Sequence, residues 1–372
     1  MRLLIAPDKF KGSLSALAAA EAIERGFRSV FADAVVDIAP IADGGEGFAE
    51  ALAAALGAQW IQLASEDANG RAITARYAWL ENEHLAVIEM SEASGLWRIQ
   101  PEDRDPLLAS THGTGILLRD AIARGARKIL IGLGGSATTD GGIGIARALG
   151  YHFLNEDGGE FHAVPGTLDL LHRIERPDTL ALPEIIAACD VQNPLLGERG
   201  TARVYSPQKG ANPHTVEALE AVMRRLADVC TTSLGCDFRN TPGAGAAGGL
   251  GFGLLTFCAA NIQPGFDIVA ETIHLDERIA AADWVITGEG RLDDQTLDGK
   301  GPAGIAARAR AAGKRVIGFA GAVTEAAERA HLFDALVPIT DRPIALEEAM
   351  REAPLLLERA AARTARLLAK FQ

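Results

Sequence analysis

Cysteine is scarce in this chain, and its spacing excludes two chemistries. The four cysteines, Cys189, Cys230, Cys236 and Cys258, form no CxxC pair and have no histidine at metal-ligand spacing. Reduced thiols in a cytoplasmic protein are therefore expected. Aromatic residues make up only 5% of 372 positions, whereas glycine occupies 40 of them. That balance favours an α/β protein with many turns at which backbone comes close to ligands. A basic stripe is also missing, and with a net charge of −13 the chain has no electrostatic footprint for nucleic acid. No apolar signal core is expected at the start, because Asp8 and Lys9 interrupt RLLIAPDKF. The charge-free run from Thr241 to Phe266 is too rich in glycine in its first half for a membrane helix, and Gln263-Pro264-Gly265 closes it. A buried loop and helix is expected there, with no membrane partner.

Several catalytic signatures are absent as well. The chain has no GxSxG elbow, no HExxH helix, no EF-hand loop and no Walker A sequence, since Gly299-Lys300 is followed by Gly301. None of the eight histidines falls in a polar, glycine-rich loop at the end of a predicted strand.

What is present is organised around KILIGLGGSATTDGGIGIARALGY, from Lys128 to Tyr151. It reads as a buried strand, a glycine-rich loop and a helix in succession. Gly132, Gly134 and Gly135 tolerate positive φ and a close ligand, and Ser136, Thr138, Thr139 and Asp140 add hydroxyls and a carboxylate. The outline is that of an anion cradle, since N–H groups at a helix start stabilise phosphate or carboxylate oxygens. A tight strand-to-helix connection is the alternative.

Upstream, Arg2–Ala6 reads as a strand running into Asp8, Lys9 and Lys11, with Ser13 as the cap of the next helix. Val35–Ala39 reads as a second strand, ending in Asp43 and Glu46, acidic groups that suit Mg²⁺, a substrate hydroxyl or a helix cap. The pattern then changes. Gln59–Leu63, Ile73–Trp79 and Leu85–Ile88 alternate as strands around Asn69-Gly70, a hairpin signal, so a domain boundary is placed near residue 60. A further strand, Glu184–Cys189, ends in Asp190, Gln192 and Asn193. Gly243 to Gly248 matches GxGxxG, but CDFRNTP precedes it in place of an apolar strand, so the dinucleotide fingerprint lacks its context. Trp284–Thr287 reads as a strand ending in a loop from Gly288 to Gln295, and Val316–Ala320 and Ala335–Ile339 add two more. The expectation is an α/β protein in which a flavodoxin-like parallel-sheet domain, residues 1–60 and 276–372, is interrupted by an inserted α/β domain, residues 61–275, that carries the antiparallel meander.

Glycine loops, hydroxyls, lysines, an arginine and carboxylates gathered at strand ends suit phosphoryl transfer, which asks a protein to position reactants, neutralise charge and exclude water. The same residues carry a resemblance. APDKFKGSLSA, ADGGEGF at 42–48, GLGGSATTDGGIG at 132–144, ACDVQNPLLGERG at 188–200, SPQKGANP at 206–213, PGAGAAGGLGFG at 242–253 and TGEGRLDDQTLDGKGP at 287–302 occur in one order along the whole chain. Together they resemble the glycerate kinase family of the bacterial glycerate-utilisation type, with departures at Lys9 and Thr139.

The resemblance implies transfer of the ATP γ-phosphoryl group to D-glycerate in a cleft between two domains, giving 2-phosphoglycerate. Two alternatives stand beside it: a 3-phosphoglycerate-forming kinase, and a nicotinamide-dependent hydroxy-acid oxidoreductase. Its implied cofactors are ATP and Mg²⁺. Nucleotide contacts are expected at Gly134, Gly135, Ser136, Thr138 and Asp140, and at Gly243, Gly245 and Gly248. Asp190 is the first candidate to accept the attacking hydroxyl's proton, with Asp43 and Asp293 in reserve or organising Mg²⁺. Lys11 and Arg291 are candidates for glycerate's carboxylate or the moving phosphoryl group, and Lys209, Gln208, Asn193, Glu289 and Lys300 complete the substrate set.

Overall fold

A computed structural model describes residues 1–42, 44–293 and 301–370. Asp43 and Lys300, both candidate site residues, lie outside the described residues. The chain forms two compact units, residues 1–43, 50–57 and 266–372 in the first and 44–49 and 58–265 in the second.

The first unit is built on five parallel strands in the order Ala335–Pro338, Arg315–Val323, Trp284–Leu292, Arg2–Ile5, Val35–Ile38. Numbered within this unit, that is the flavodoxin-like order 2-1-3-4-5. The central strands bury apolar residues on both faces: Leu3, Leu4, Ile5, Val285, Ile286, Val316 and Ile317 are at most 1% exposed. Such continuous runs are what a parallel sheet covered on both sides requires. Helix Ala16–Arg28 packs against helix Ala353–Leu368, where Gly26 lets the backbones close. A Cβ there would lie 2.5 Å from the Ala361 Cβ and from the Glu358 carbonyl oxygen. Ile23, Phe27, Leu356 and Leu357 are fully buried in the same cluster, each contributing about 1.5–3 kcal/mol of burial.

Two local expectations are corrected in this unit. The cap of helix Ala16–Arg28 is Ser15, which accepts from the Ala18 N–H at 3.2 Å, and not Ser13. A tight turn in which Phe10 and Leu14 exchange backbone hydrogen bonds delays the helix, and the Ser13 hydroxyl donates instead to the Met350 carbonyl at 2.6 Å. The strand beginning at Trp284 also runs to Leu292, so Glu289 and Arg291 are strand residues and not loop residues. Arg315–Val323 is equally long and pairs Glu289 with Ala320 and Arg291 with Ala322.

In the second unit a six-stranded mixed sheet has the order Asn261–Gln263, Glu184–Ala188, Lys128–Gly132, Leu85–Glu89, Ala72–Leu80, Gln59–Glu66. The last two pair antiparallel, and Ala72–Leu80 pairs antiparallel with Leu85–Glu89; the other neighbours are parallel. The hairpin closes where Asp67 accepts from the Asn69 N–H at 2.8 Å and Gly70 takes φ +77°. Trp79, Tyr77, Tyr151, Phe153, Phe252 and Phe257 are fully buried in its core, and the Tyr151 hydroxyl donates to the Phe257 carbonyl at 2.8 Å. The uncharged run forms the largely buried segment Ala246–Cys258, helical after a left-handed turn at Ala247, Gly248 and Gly249. Among the described residues no helix is long and apolar enough to cross a membrane. Strand Asn261–Gln263 and the small pair His152–Leu154 with Arg173–Glu175 were not apparent from periodicity.

Candidate functional site

In the second unit the parallel strands deliver several loops to one sheet edge. Gly132 and Ala188 are register partners, so the glycine turn that follows one and Asp190, which follows the other, emerge from adjacent strand ends. The turn is crowded: a Cβ on Gly134 would lie 2.4 Å from the Gly45 Cα, and Gly135 takes φ +72°. Segment Ser94–Leu96 pairs with it through Leu96 N–H to Gly135 O at 2.7 Å and Ala137 N–H to Ser94 O at 2.9 Å. Gly134 is half-buried and Gly135 exposed, and among the described residues no acceptor meets their N–H groups. Beside them lies Glu89, buried at the end of its strand. Its carboxylate accepts from Gly47 N–H at 3.1 Å, Ala49 N–H at 3.3 Å and the Ser91 hydroxyl at 2.9 Å. Burial raises its pKa, opposed by those hydrogen bonds.

The helix after the glycine turn differs from the expected open anion site. Ile143–Ala148 is a six-residue helix whose first donors are already satisfied inside the protein. Asp140, fully buried, accepts from the Thr111 N–H at 2.7 Å, the Thr111 hydroxyl at 2.8 Å, the Gly142 N–H at 3.0 Å and the Gly144 N–H at 3.2 Å. The Thr111 hydroxyl also accepts from the Ile145 N–H at 3.1 Å. Asp140 is thus an internal clamp that shapes the loop from below. Burial raises its pKa, and its four donors counter that.

Lys209 lies beneath the same turn, 2% exposed. Its ammonium donates to the Ser136 hydroxyl at 3.2 Å and the Thr138 carbonyl at 2.5 Å. Burial pulls its pKa down to about 7, and the charge of Asp140 resists the fall. The Ser136 hydroxyl is also within reach of the Thr138 hydroxyl at 3.1 Å and the Ala247 carbonyl at 3.2 Å. Thr138 is fully buried, so its side chain faces the protein interior.

The second glycine loop buttresses the first. A Cβ on Gly248 would lie 1.8 Å from the Thr138 carbonyl oxygen, one on Gly245 2.2 Å from the Pro194 carbonyl, and one on Gly243 3.1 Å from Ile262. The Gly141 N–H donates to the Gly248 carbonyl at 3.0 Å. Ala247, Gly248 and Gly249 form a left-handed turn, which needs residues free of a bulky Cβ. Gly251 and Gly253 serve the close packing expected of small residues, against Gly243 and Gly141–Gly142. Asn193 is held in its own loop, donating to the Arg199 carbonyl at 2.7 Å and accepting from the Tyr205 hydroxyl at 2.8 Å. Gln208 is exposed, and its carbonyl accepts from Arg104 at 3.1 Å. Asp190 is half-buried.

In the first unit, the carboxyl ends of Arg2–Ile5 and Trp284–Leu292 flank the point where strand order reverses, the usual ligand position in an open α/β sheet. Asp8 is buried there, with its carboxylate 2.6 Å from the Lys9 N–H. Lys11 is exposed, and a Cβ on Gly290 would lie 3.2 Å from its backbone nitrogen, so the two strand-end segments touch. Arg291, 68% exposed, pairs with Asp293 at 3.3 Å, and Glu289 is half-buried beside it. Among the described residues no group of three or more His, Cys, Asp or Glu side chains is placed to hold a metal ion. Asp8 and Glu89 escaped the sequence reading as site residues. Asp8 stood in a recognised strand-end loop, which was the available signal; Glu89 ends an apolar strand and gave none.

The two α/β units carry glycine-rich and charged strand-end loops of a kind that suits phosphoryl transfer, without a Walker A loop. The sequence model of the glycerate kinase family matches residues 3–369, and the chain belongs to that family. It is similar to glycerate kinase from Halalkalibacterium halodurans, 43% identical over 364 residues and 96% of both chains. To glycerate 2-kinase from Escherichia coli it is 41% identical over 362 residues, 95% of this chain and 94% of the relative. A crystal structure assigned as glycerate kinase 2 from Salmonella typhimurium matches with a TM-score of 0.89 at 40% identity, covering 100% of this chain and 99% of that one. The chain is accordingly a kinase.

Proposed function

We propose that this kinase transfers the γ-phosphoryl group of ATP to the 2-hydroxyl of D-glycerate, giving 2-phosphoglycerate and ADP. The observation that carries the proposal is the pairing of Gly132 with Ala188, which sets the exposed Gly134–Gly135 turn and Asp190 at neighbouring strand ends. Backbone N–H groups of the turn would bind phosphate oxygens, with Ser136 beside them. Asp140, Lys209 and the Gly243–Gly249 loop would hold that turn in shape, a narrower role for these residues than direct nucleotide contact. Asp190 would take the proton of the attacking hydroxyl as the new O–P bond forms and the bond to the ADP oxygen breaks. Lys11 and Arg291 would neutralise the acceptor's carboxylate or the moving phosphoryl group, the arginine in bidentate fashion.

Mg²⁺ commonly uses one or two carboxylates together with nucleotide phosphates, and Asp293, ion-paired with Arg291, would supply one such carboxylate. When bound, the ion would neutralise phosphate charge. Interdomain transfer is part of the proposal and rests on the sequence reading. Phosphorus NMR of the product of ATP and D-glycerate tests it: phosphorus on O2 couples to a single carbon-bound proton and gives a doublet. A triplet would assign O3, and absence of any phosphoglycerate with consumption of NADH on a hydroxy-acid or its oxidised partner would replace the kinase reading.

A further inference from the structure

Trp97 is 60% exposed, a large apolar surface for a side chain that could be covered. The other tryptophans are placed differently: Trp79 is buried, and Trp60 and Trp284 are partly buried with Arg76 and Arg315 over their rings at 4.1 and 5.1 Å. The Trp97 indole is nevertheless fixed. Its Nε1–H donates to the Ser91 carbonyl at 3.1 Å, and the Arg98 guanidinium lies 4.3 Å from the ring centroid, a cation–π contact. Arg98 in turn approaches Glu92 at 3.6 Å.

The position of this ring matters more than its exposure. Gly95 bridges Ser136 and the Leu96 N–H holds the Gly135 carbonyl, so Trp97 directly follows the segment bonded to the glycine turn. Ser91, which anchors the indole, lies against Gly135: a Cβ on that glycine would be 3.3 Å from the Ser91 Cβ. A Cβ on Gly95 would come within 2.8 Å of the indole nitrogen, so glycine at 95 lets the ring fold back toward the turn. In a nucleoside triphosphate the ribose separates the base from the terminal phosphates. A base platform must therefore stand beside the phosphate cradle, rigid and wet on one face.

We propose that the outer face of the Trp97 indole stacks against the purine base of the nucleoside triphosphate, an inference that rests on reading the Gly134–Ser136 turn as the phosphate cradle. Stacking is tolerant of base identity, because every base has a π-face, and it is lost when the ring is truncated. ATP and inorganic tripolyphosphate separate base from phosphate binding. Equilibrium titration of both into wild type, Trp97→Ala and Trp97→Phe is the test, with tryptophan emission recorded in parallel. Trp97→Ala should weaken ATP roughly tenfold and leave tripolyphosphate unchanged, Trp97→Phe should retain most of the ATP affinity, and the emission change caused by ATP should vanish in both variants. Equal ATP affinity in wild type and Trp97→Ala, or equal weakening of both ligands, would overturn the platform and leave the cradle standing. Wild type that binds neither ligand would overturn the cradle and the platform with it.

Discussion

Apart from the buried Asp8 of the first unit, the two units place their polar site candidates differently. In the second, Asp140, Lys209 and Glu89 are buried and bond to backbone and hydroxyl groups that shape the glycine turn. In the first, Lys11 and Arg291 stand exposed at strand ends, with Arg291 ion-paired to Asp293 at 3.3 Å. A buried charge is costly unless it is fully hydrogen-bonded, so where several are retained the fold is fixing a particular backbone shape. Exposed charges cost little and remain available to an incoming anion. The difference teaches that one unit invests in a preformed loop and the other in accessible charge. Changing a buried supporting group should therefore disturb folding or titration, and changing an exposed one should disturb substrate affinity.

The sharpest break should come from Gly248→Ala. At φ +72° and with a Cβ placed 1.8 Å from the Thr138 carbonyl, the variant cannot keep both loops, and a loss of more than about 4 kcal/mol of stability is expected. Denaturant melts that match wild type would mean that the loops are not wedged together. Next in size, Asp190→Asn should lower kcat roughly 10²–10⁴-fold while nucleotide affinity measured by titration stays near wild type. Near-normal turnover would remove Asp190 as the proton acceptor.

Arg291→Ala, on the exposed side of the comparison, should raise the KM for glycerate roughly tenfold with little change in thermal stability; an unchanged KM places the residue outside the substrate site. The smallest effect is a pH signature. Burial lowers Lys209 to about 7, below its unfolded value, so the unfolded chain binds more protons between about pH 7 and the ordinary lysine range. Stability contributed by this group should rise with pH through that window, and below it the cost of the buried charge is constant. Lys209→Met should flatten the rise in a melting-temperature profile from pH 7 to about 9. An identical slope in the two proteins would contradict a buried, easily deprotonated lysine.

Much of the fold was legible because buried parallel strands advertise themselves. Runs such as Lys128–Gly132 and Arg2–Ile5 are apolar on both faces, and the Asn69-Gly70 turn names its own hairpin. Short edge strands carry no such signal, which is why Asn261–Gln263 was missed. Gly288 and Gly290 disguised the extension of Trp284–Leu292, since strand pairing there depends on a partner strand, Arg315–Val323, far along the chain. The site was legible as chemistry and less so as geometry. Sequence located the loops that meet at the Gly132 and Ala188 strand ends, but a carboxylate such as Asp140 looks the same on paper whether it faces a ligand or four internal donors. Glu89 was invisible for the same reason, because its partners Gly47 and Ala49 are some 40 positions away.

The central claim is that the Gly134–Ser136 amides grip phosphate while the groups beneath them only hold the turn. Amide chemical-shift mapping during an ATP titration addresses it directly. The account predicts the largest shifts at Gly134, Gly135 and Ser136, with small ones at Gly248 and Gly251. Shifts centred on the amides of Lys11 to Ser13, with the glycine turn unmoved, would contradict it.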